Sequence, residues 1–146
     1  MSTRIVSASR TIAAPPEAIF DILANPALHP VIDGSGNVQA SKDNPERLAL
    51  GATFSMDMKL GISYVTKNTV SAFEEGRVIA WHHVARFEWR YELAPVDGGT
   101  LVTETFDYSK PWGILLVISG TPEKNRVGMV KTLERLDQLV TTGSVG

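Results

Sequence analysis

Apolar and polar residues change rhythm along this chain, and the longest stretch follows a period of two. Phe54, Met56 and Met58 alternate with Ser55, Asp57 and Lys59, and Ile62, Tyr64, Thr66, Asn68 and Val70 form one face of the next run. Glu75-Gly76 reads as a turn and residues 78–84 as a strand. Phe87, Trp89, Tyr91 and Leu93 then alternate with Glu88, Arg90 and Glu92. Asp97-Gly98-Gly99 is a hairpin signal, because glycine accepts positive φ without a Cβ clash. Residues 101–108 complete the meander. Four or five consecutive strands joined by short turns predict an antiparallel sheet with one wet and one apolar face.

The two ends of the chain follow other rules. Residues 4–13 read as a first strand, with Ile5 and Ile12 among polar neighbours. Pro15-Pro16 opens a helix, since a proline in the first turn forfeits no hydrogen bond and Glu17 suits the positive end of the helix dipole. Ile19, Phe20 and Leu23 give that helix an apolar face, and Asn25-Pro26 stops it. A second short helical turn is expected at 28–31. The Gly-, Ser-, Asn- and Pro-rich stretch 33–51 reads as loop, with one short strand around Val38. At the far end Thr121 is the expected N-cap, followed by Pro122 and Glu123. Met129, Leu133, Leu136 and Val140 recur at helical spacing and form one stripe, while Arg126, Lys131, Glu134, Arg135 and Asp137 fall mostly elsewhere. The helix should end near Thr141 or Gly143, with a flexible tail from about 142. A sheet with one apolar face needs a cover, and this is the one predicted helix long enough to supply it. The expected product is a single α+β domain over 1–146.

Composition narrows the functions open to such a domain. The chain has 146 residues, 43% of them hydrophobic and 21% charged, which suits one globular core. Its net charge of −2 and the lack of any Lys/Arg cluster give no footprint for nucleic acid. It contains no cysteine, which removes disulfides, thiolate catalysis and Cys-ligated zinc. Residues 1–10 are polar and resemble no secretory signal. The longest apolar run, 114–118, is far short of the ~20 residues that cross a bilayer, so no integral membrane association and a cytoplasmic location are expected.

The opening strand ending in IAAPPEAIFDIL, the stop at Asn25-Pro26, the RVIAWHH strand, the WRYELAPVDGGTLVTETFDYS hairpin and the final ERLDQLV helix together resemble the SRPBCC superfamily. That superfamily groups polyketide cyclase/dehydrase-like, START and Bet v 1-like proteins. The resemblance covers nearly the whole chain but includes no catalytic signature. It implies a helix-grip fold, in which a curved antiparallel sheet of about seven strands wraps a long C-terminal helix, with one or two short helices after strand 1. It also implies a ligand cavity between sheet and helix. Lipid carriers, hormone receptors, aromatase/cyclases and co-chaperones share this fold, so fold alone does not fix function.

Several residues are candidates for such a site. Phe54, Met56, Met58, Tyr64, Trp89, Tyr91 and Phe106 on the strands, with Met129 and Leu133 on the helix, would wall an apolar cavity; alternatively they fill a closed core. Glu104 shares a strand face with Val102 and Phe106. If that face is inward, burial would raise its pKa and suit it to proton transfer; in the opposite phase, with Leu101 inward, it is one more solvated charge. His82 and His83 are adjacent on a strand and must face opposite sides, Trp81 sharing the His83 face. His83 is carried as the candidate partner of Glu104, against the ordinary reading of a structural histidine. Arg90 belongs on the wet face. His29, Asp33 and Ser35 gather an imidazole, a carboxylate and a hydroxyl beside flexible glycines. They suit the rim of a pocket mouth, or simple Asx and Ser turns, better than a catalytic triad. The spacing of Asp33, Ser35, Asn37 and Gln39 mimics a calcium loop, yet the required glycine and distal glutamate are misplaced. No metal or nucleotide signature occurs, and no cofactor is expected. Residues 112–118 (WGILLVI) read as a short helix over the cavity mouth, or as packing or a dimer patch.

Three functions remain in play. The first is a binding or carrier protein for an apolar or amphipathic molecule such as a fatty acid, isoprenoid or polyketide-like compound. The second is a cyclase or dehydratase using Glu104 and a histidine as acid and base, with Tyr64 or Tyr91 orienting a carbonyl. The third is a protein-interaction module with a sealed core. The chain is expected to be a monomer or a homodimer.

Overall fold

The computed structural model describes residues 4–41, 44–83 and 86–145. Seven strands form one sheet: β1 (Ile5–Ile12), β2 (Val38–Ser41), β3 (Thr53–Leu60), β4 (Ile62–Glu74), β5 (Val78–His82), β6 (Glu88–Val96) and β7 (Gly99–Asp107). All neighbours are antiparallel and the order is β1-β7-β6-β5-β4-β3-β2. The strands from β2 onward are a plain meander, and β1 returns to lie against β7. The sheet curls into a half-barrel around the last helix, the helix-grip arrangement. The strand expected over 78–84 ends at His82, and Val84 lies outside the described residues.

Between β1 and β2 the chain forms α1 (Pro16–Leu23), a single 3-10 turn (Pro26–Leu28) and α2 (His29–Ile32). Proline lies in the first turn of α1, and Asn25 Oδ1 caps the 3-10 turn by accepting from the Ala27 amide at 3.1 Å. After β7 come a 3-10 turn (Pro111–Gly113), α3 (Ile114–Ser119) and α4 (Thr121–Thr142). Thr121 is not the cap expected of it: α4 begins at Thr121 itself, with Gly120 in the capping position at φ 75°. The reason is that α3 runs straight into α4, and the left-handed corner between them needs a residue without a Cβ. Gly143, at φ 83°, closes the other end of α4 as its amide donates to the Leu139 carbonyl at 2.9 Å.

The core lies between the concave face of the sheet and α4. Ile12, Ile19, Phe20, Leu23, Leu93, Val102, Leu133 and Leu136 are buried together in its largest cluster. A register irregularity between Val70 and Ala72 changes the phase of β4. Phe73 therefore packs against this core as Val70 does, and its ring meets Phe20 edge-on at 5.3 Å. Among the described residues no helix is long and apolar enough to cross a membrane.

Candidate functional site

Strand alternation on a curved sheet sends every second side chain of β3 to β7 toward α4. Where α4 comes close the space is filled; toward its N-terminal half a cavity of about 390 Å³ remains. Phe54, Met56 and Met58 reach it from β3, Trp81 from β5, Trp89 and Tyr91 from β6, and Phe106 from β7. Met129 closes it from α4. Eight of the nine expected wall residues thus converge on one space. Leu133, the ninth, does not: one turn further along α4 it is fully buried in the solid core, where helix and sheet have closed on each other. Tyr64 sits at the rim, 39% exposed.

Glu104 takes the inward phase. Val102, Glu104 and Phe106 are buried in succession while their β7 neighbours are half-exposed, because the register sets Leu93 opposite Val102 and Tyr91 opposite Glu104. Its carboxyl lines the cavity at 3% exposure, and Oε1 has no hydrogen-bond partner. Burial pushes its pKa up to about 8; a hydrogen bond with the Tyr91 hydroxyl draws it down, and the nearby Asp33 charge raises it further. At neutral pH Glu104 is therefore mostly a carboxylic acid and can donate a proton. Burial, and then the Glu104 charge, hold the Tyr91 phenol well above its usual range.

The histidine pair resolves as alternation requires. His83 lines the cavity beside Phe87, and His82 does not. Burial, then the neighbouring His82, lower the His83 pKa. Arg90 bonds Glu88 at 2.8 Å, away from the cavity.

His29 lies deeper than a mouth residue. It opens α2, buried, with its ring stacked on Trp81 at 5.0 Å and edge-on to Phe54 at 5.4 Å. Its Nε2 sits 2.8 Å from the Leu23 carbonyl, which can only accept, so Nε2 carries the hydrogen. Burial lowers its pKa to about 4 against the opposing pull of that hydrogen bond, and the ring is neutral at pH 7. The mouth reading fails here because α2 folds inward over Trp81. Asp33 and Ser35 do lie at the rim, as a turn: Asp33 accepts from the Ser35 amide and hydroxyl and from the Val38 amide. With His29 committed to Leu23, the three are no triad.

Polar wall residues were missed in the sequence reading. Asn68 is buried beside Thr66, and both line the cavity with Tyr64, as the β4 alternation could have indicated. Thr132 of α4 also lines it and accepts from the Gly34 amide at 2.8 Å. That bond reflects a close approach between loop and helix: a Cβ on Gly34 would stand 2.5 Å from the Thr132 nitrogen and 2.7 Å from the Gly128 oxygen. From α3 only Leu116 reaches the cavity; Leu115 and Ile118 are 66% and 78% exposed. A larger, shallow depression of about 580 Å³ lies outside, near Asp21 and Arg47, whose charges are already paired with each other and with Glu75.

Comparison with known proteins agrees with this architecture. The family model described as polyketide cyclase/dehydrase and lipid transport matches residues 3–141. An uncharacterized protein of Mycobacterium tuberculosis is 34% identical over 145 residues, covering 94% of this chain and 65% of the relative. The chain thus spans just under two thirds of the length of the curated relatives it matches. Among solved structures, a protein from Mesorhizobium loti superposes with a TM-score of 0.72 at 20% identity, covering 94% of this chain and 96% of its own. An AHSA1-like protein from Aeromonas hydrophila gives 0.71 at 19% identity, covering 96% and 94%. At these identities the structural matches speak for the fold alone.

Proposed function

The chain belongs to the polyketide cyclase/dehydrase and lipid transport family, within the SRPBCC superfamily, and from that premise we propose that it binds and carries an apolar small molecule in the cavity over the N-terminal half of α4. One observation carries the reading: a cavity of about 390 Å³, walled by aromatic and methionine side chains from five strands. Such walls bury much of an apolar guest's surface, and the methionines adapt to its shape. A sealed core would have suited an interaction module; this cavity speaks against it.

The buried Glu104 supports a second reading, proton transfer to a bound polyketide-like carbonyl. A protonated carboxyl beside the Tyr91 hydroxyl is a competent acid, and His83 on the same cavity would be the candidate base. The two readings part on one variant. Glu104→Gln keeps the shape and a hydrogen-bond donor, so a carrier retains its ligand and an enzyme loses turnover.

Native mass spectrometry of the protein from its own host, with extraction of whatever comes off, is the direct test. A stoichiometric apolar metabolite supports the carrier reading and supplies the compound for turnover assays of wild type and Glu104→Gln. A bare mass, with no thermal stabilisation by apolar probes of any head group, sinks it.

A further inference from the structure

The polar groups of the cavity are unevenly chosen. Glu104 comes from β7, Tyr91 from β6, Tyr64 from β4, His83 from just beyond β5, and His29 and Asp33 from the two ends of α2; these are the titratable groups on its described lining. No Lys or Arg is among those lining residues. Both histidines are held toward the neutral form by burial. A carboxylate head group entering here would meet two carboxyl groups and no cation. Leaving water without a counter-charge costs an anion several kcal/mol.

The same wall offers an unused donor. A buried polar atom without a partner is uncommon, because it forfeits its hydrogen bonds to water for nothing in return. Oε1 of Glu104 is such an atom, and the neighbouring Tyr91 hydroxyl leaves it unsatisfied. On a protonated carboxyl that oxygen can carry the hydrogen, and what it lacks is an acceptor.

Resting on the carrier reading, we propose that the cavity selects an uncharged amphipath with one oxygen acceptor, a ketone, ester or lactone carbonyl that takes a hydrogen bond from the Glu104 carboxyl, and that it discriminates against carboxylate-headed lipids. Apolar rings surround the chain or ring system of the guest, and the carbonyl docks at the centre of the β6–β7 pair. This narrows the ligand class: a free fatty acid is disfavoured, and its neutral ketone or ester counterpart is preferred.

The test uses four probes with chains of similar length: methyl nonyl ketone, decanoate, decylamine and decane. Binding is read by quenching of the cavity tryptophans Trp81 and Trp89 and by calorimetry. At pH 7 the ketone should bind about tenfold more tightly than decanoate, the size expected for one unpaired charge or lost charge-assisted bond. Ketone binding should weaken as pH rises through 8, because an ionised Glu104 no longer donates. Glu104→Gln should keep ketone affinity and lose this pH dependence. Glu104→Leu should lose ketone preference over decane while still binding decane, which also establishes that the variant is folded. Decanoate binding as tightly as the ketone overturns the inference and leaves the carrier reading standing. Tighter decylamine binding that strengthens above pH 8 overturns it in favour of a cationic ligand. Failure of all four probes overturns the carrier reading as well.

Discussion

The two halves of α4 lie under the same sheet and meet it differently. In the C-terminal half Leu133 and Leu136 are fully buried against Ile12, Leu93 and Val102, with Leu139 and Val140 packed at the margin. About 10 Å away, two turns toward the N-terminus, Met129 borders a cavity together with Gly128, Asn125 and Thr121. Branched aliphatic side chains fill the first region. In the second, the helix residues beside Met129 are small or polar, and the sheet supplies rings and the buried Glu104. One half of the helix is packed solid against the sheet, and the other borders the cavity that the carrier proposal fills with a guest.

Truncation in the solid half should give the largest effect. Leu136→Ala should cost about 3–4 kcal/mol, a transfer loss plus a new cavity that closely packed neighbours cannot collapse into. Met129→Ala should cost less, about 2 kcal/mol: Met129 is buried with Phe87, Phe106 and Tyr108, but it also borders space that is already open. Equal losses in denaturant titrations of the two variants would break the contrast between the halves.

Next in size comes the seam where the loop after α2 meets the hollow half. Gly34→Ala places a methyl against backbone atoms of Thr132 and Gly128, with Lys131 Cβ closer still. Backbone cannot rotate away, so α2 or α4 must shift. A loss of about 2–3 kcal/mol is expected, with a change in fluorescence from Trp81, which stacks on His29. Wild-type stability with unchanged fluorescence would mean the seam is loose.

The hollow half should also dominate the pH dependence. Glu104 has a folded pKa of about 8 against an ordinary 4.5, so the unfolded chain loses this proton first and stability falls as pH rises between those values. His29 acts oppositely: with a folded pKa of about 4 against 6.5, the unfolded chain binds the proton first, and stability falls as pH drops from 6.5 toward 4. Between about 4.5 and 6.5 the two slopes offset each other. Between 6.5 and 8 Glu104 acts alone, and about 2 kcal/mol should be lost. Glu104→Gln should abolish this fall and expose the His29 slope below pH 6.5. A wild-type curve flat from 6.5 to 8 would mean water reaches the carboxyl freely.

How far these features could be read from the sequence depends on the range of the interactions that decide them. Alternation and turn chemistry are local, so the meander, the Pro16 helix start and the hairpin at Gly98 were legible. The phase of β7 was open because Leu101 and Val102 are both apolar; what decides it is the pairing of Leu93 with Val102, a contact between strands. The stripe Met129–Leu133–Leu136 identifies a buried helix face and says nothing of how far away the sheet lies, so Leu133 was placed on the cavity and belongs to the core. His29 looked like a rim residue from its loop-like surroundings. Its position depends on stacking against Trp81, more than fifty residues away along the chain.

The smallest expected effect isolates the bond that keeps Glu104 from titrating later still. Tyr91→Phe removes one hydroxyl from a ring whose packing is otherwise retained, so the stability change near pH 6 should stay under about 1 kcal/mol. The Tyr91 hydrogen bond holds the Glu104 pKa down; without it the pKa should move above 8, and the alkaline loss of stability should extend with it. NMR titration of the Glu104 carboxyl carbon would follow this directly. An unmoved midpoint would mean that the hydroxyl serves a bound guest and not the carboxyl, making Tyr91 and Glu104 two separate polar contacts in the hollow half of the grip.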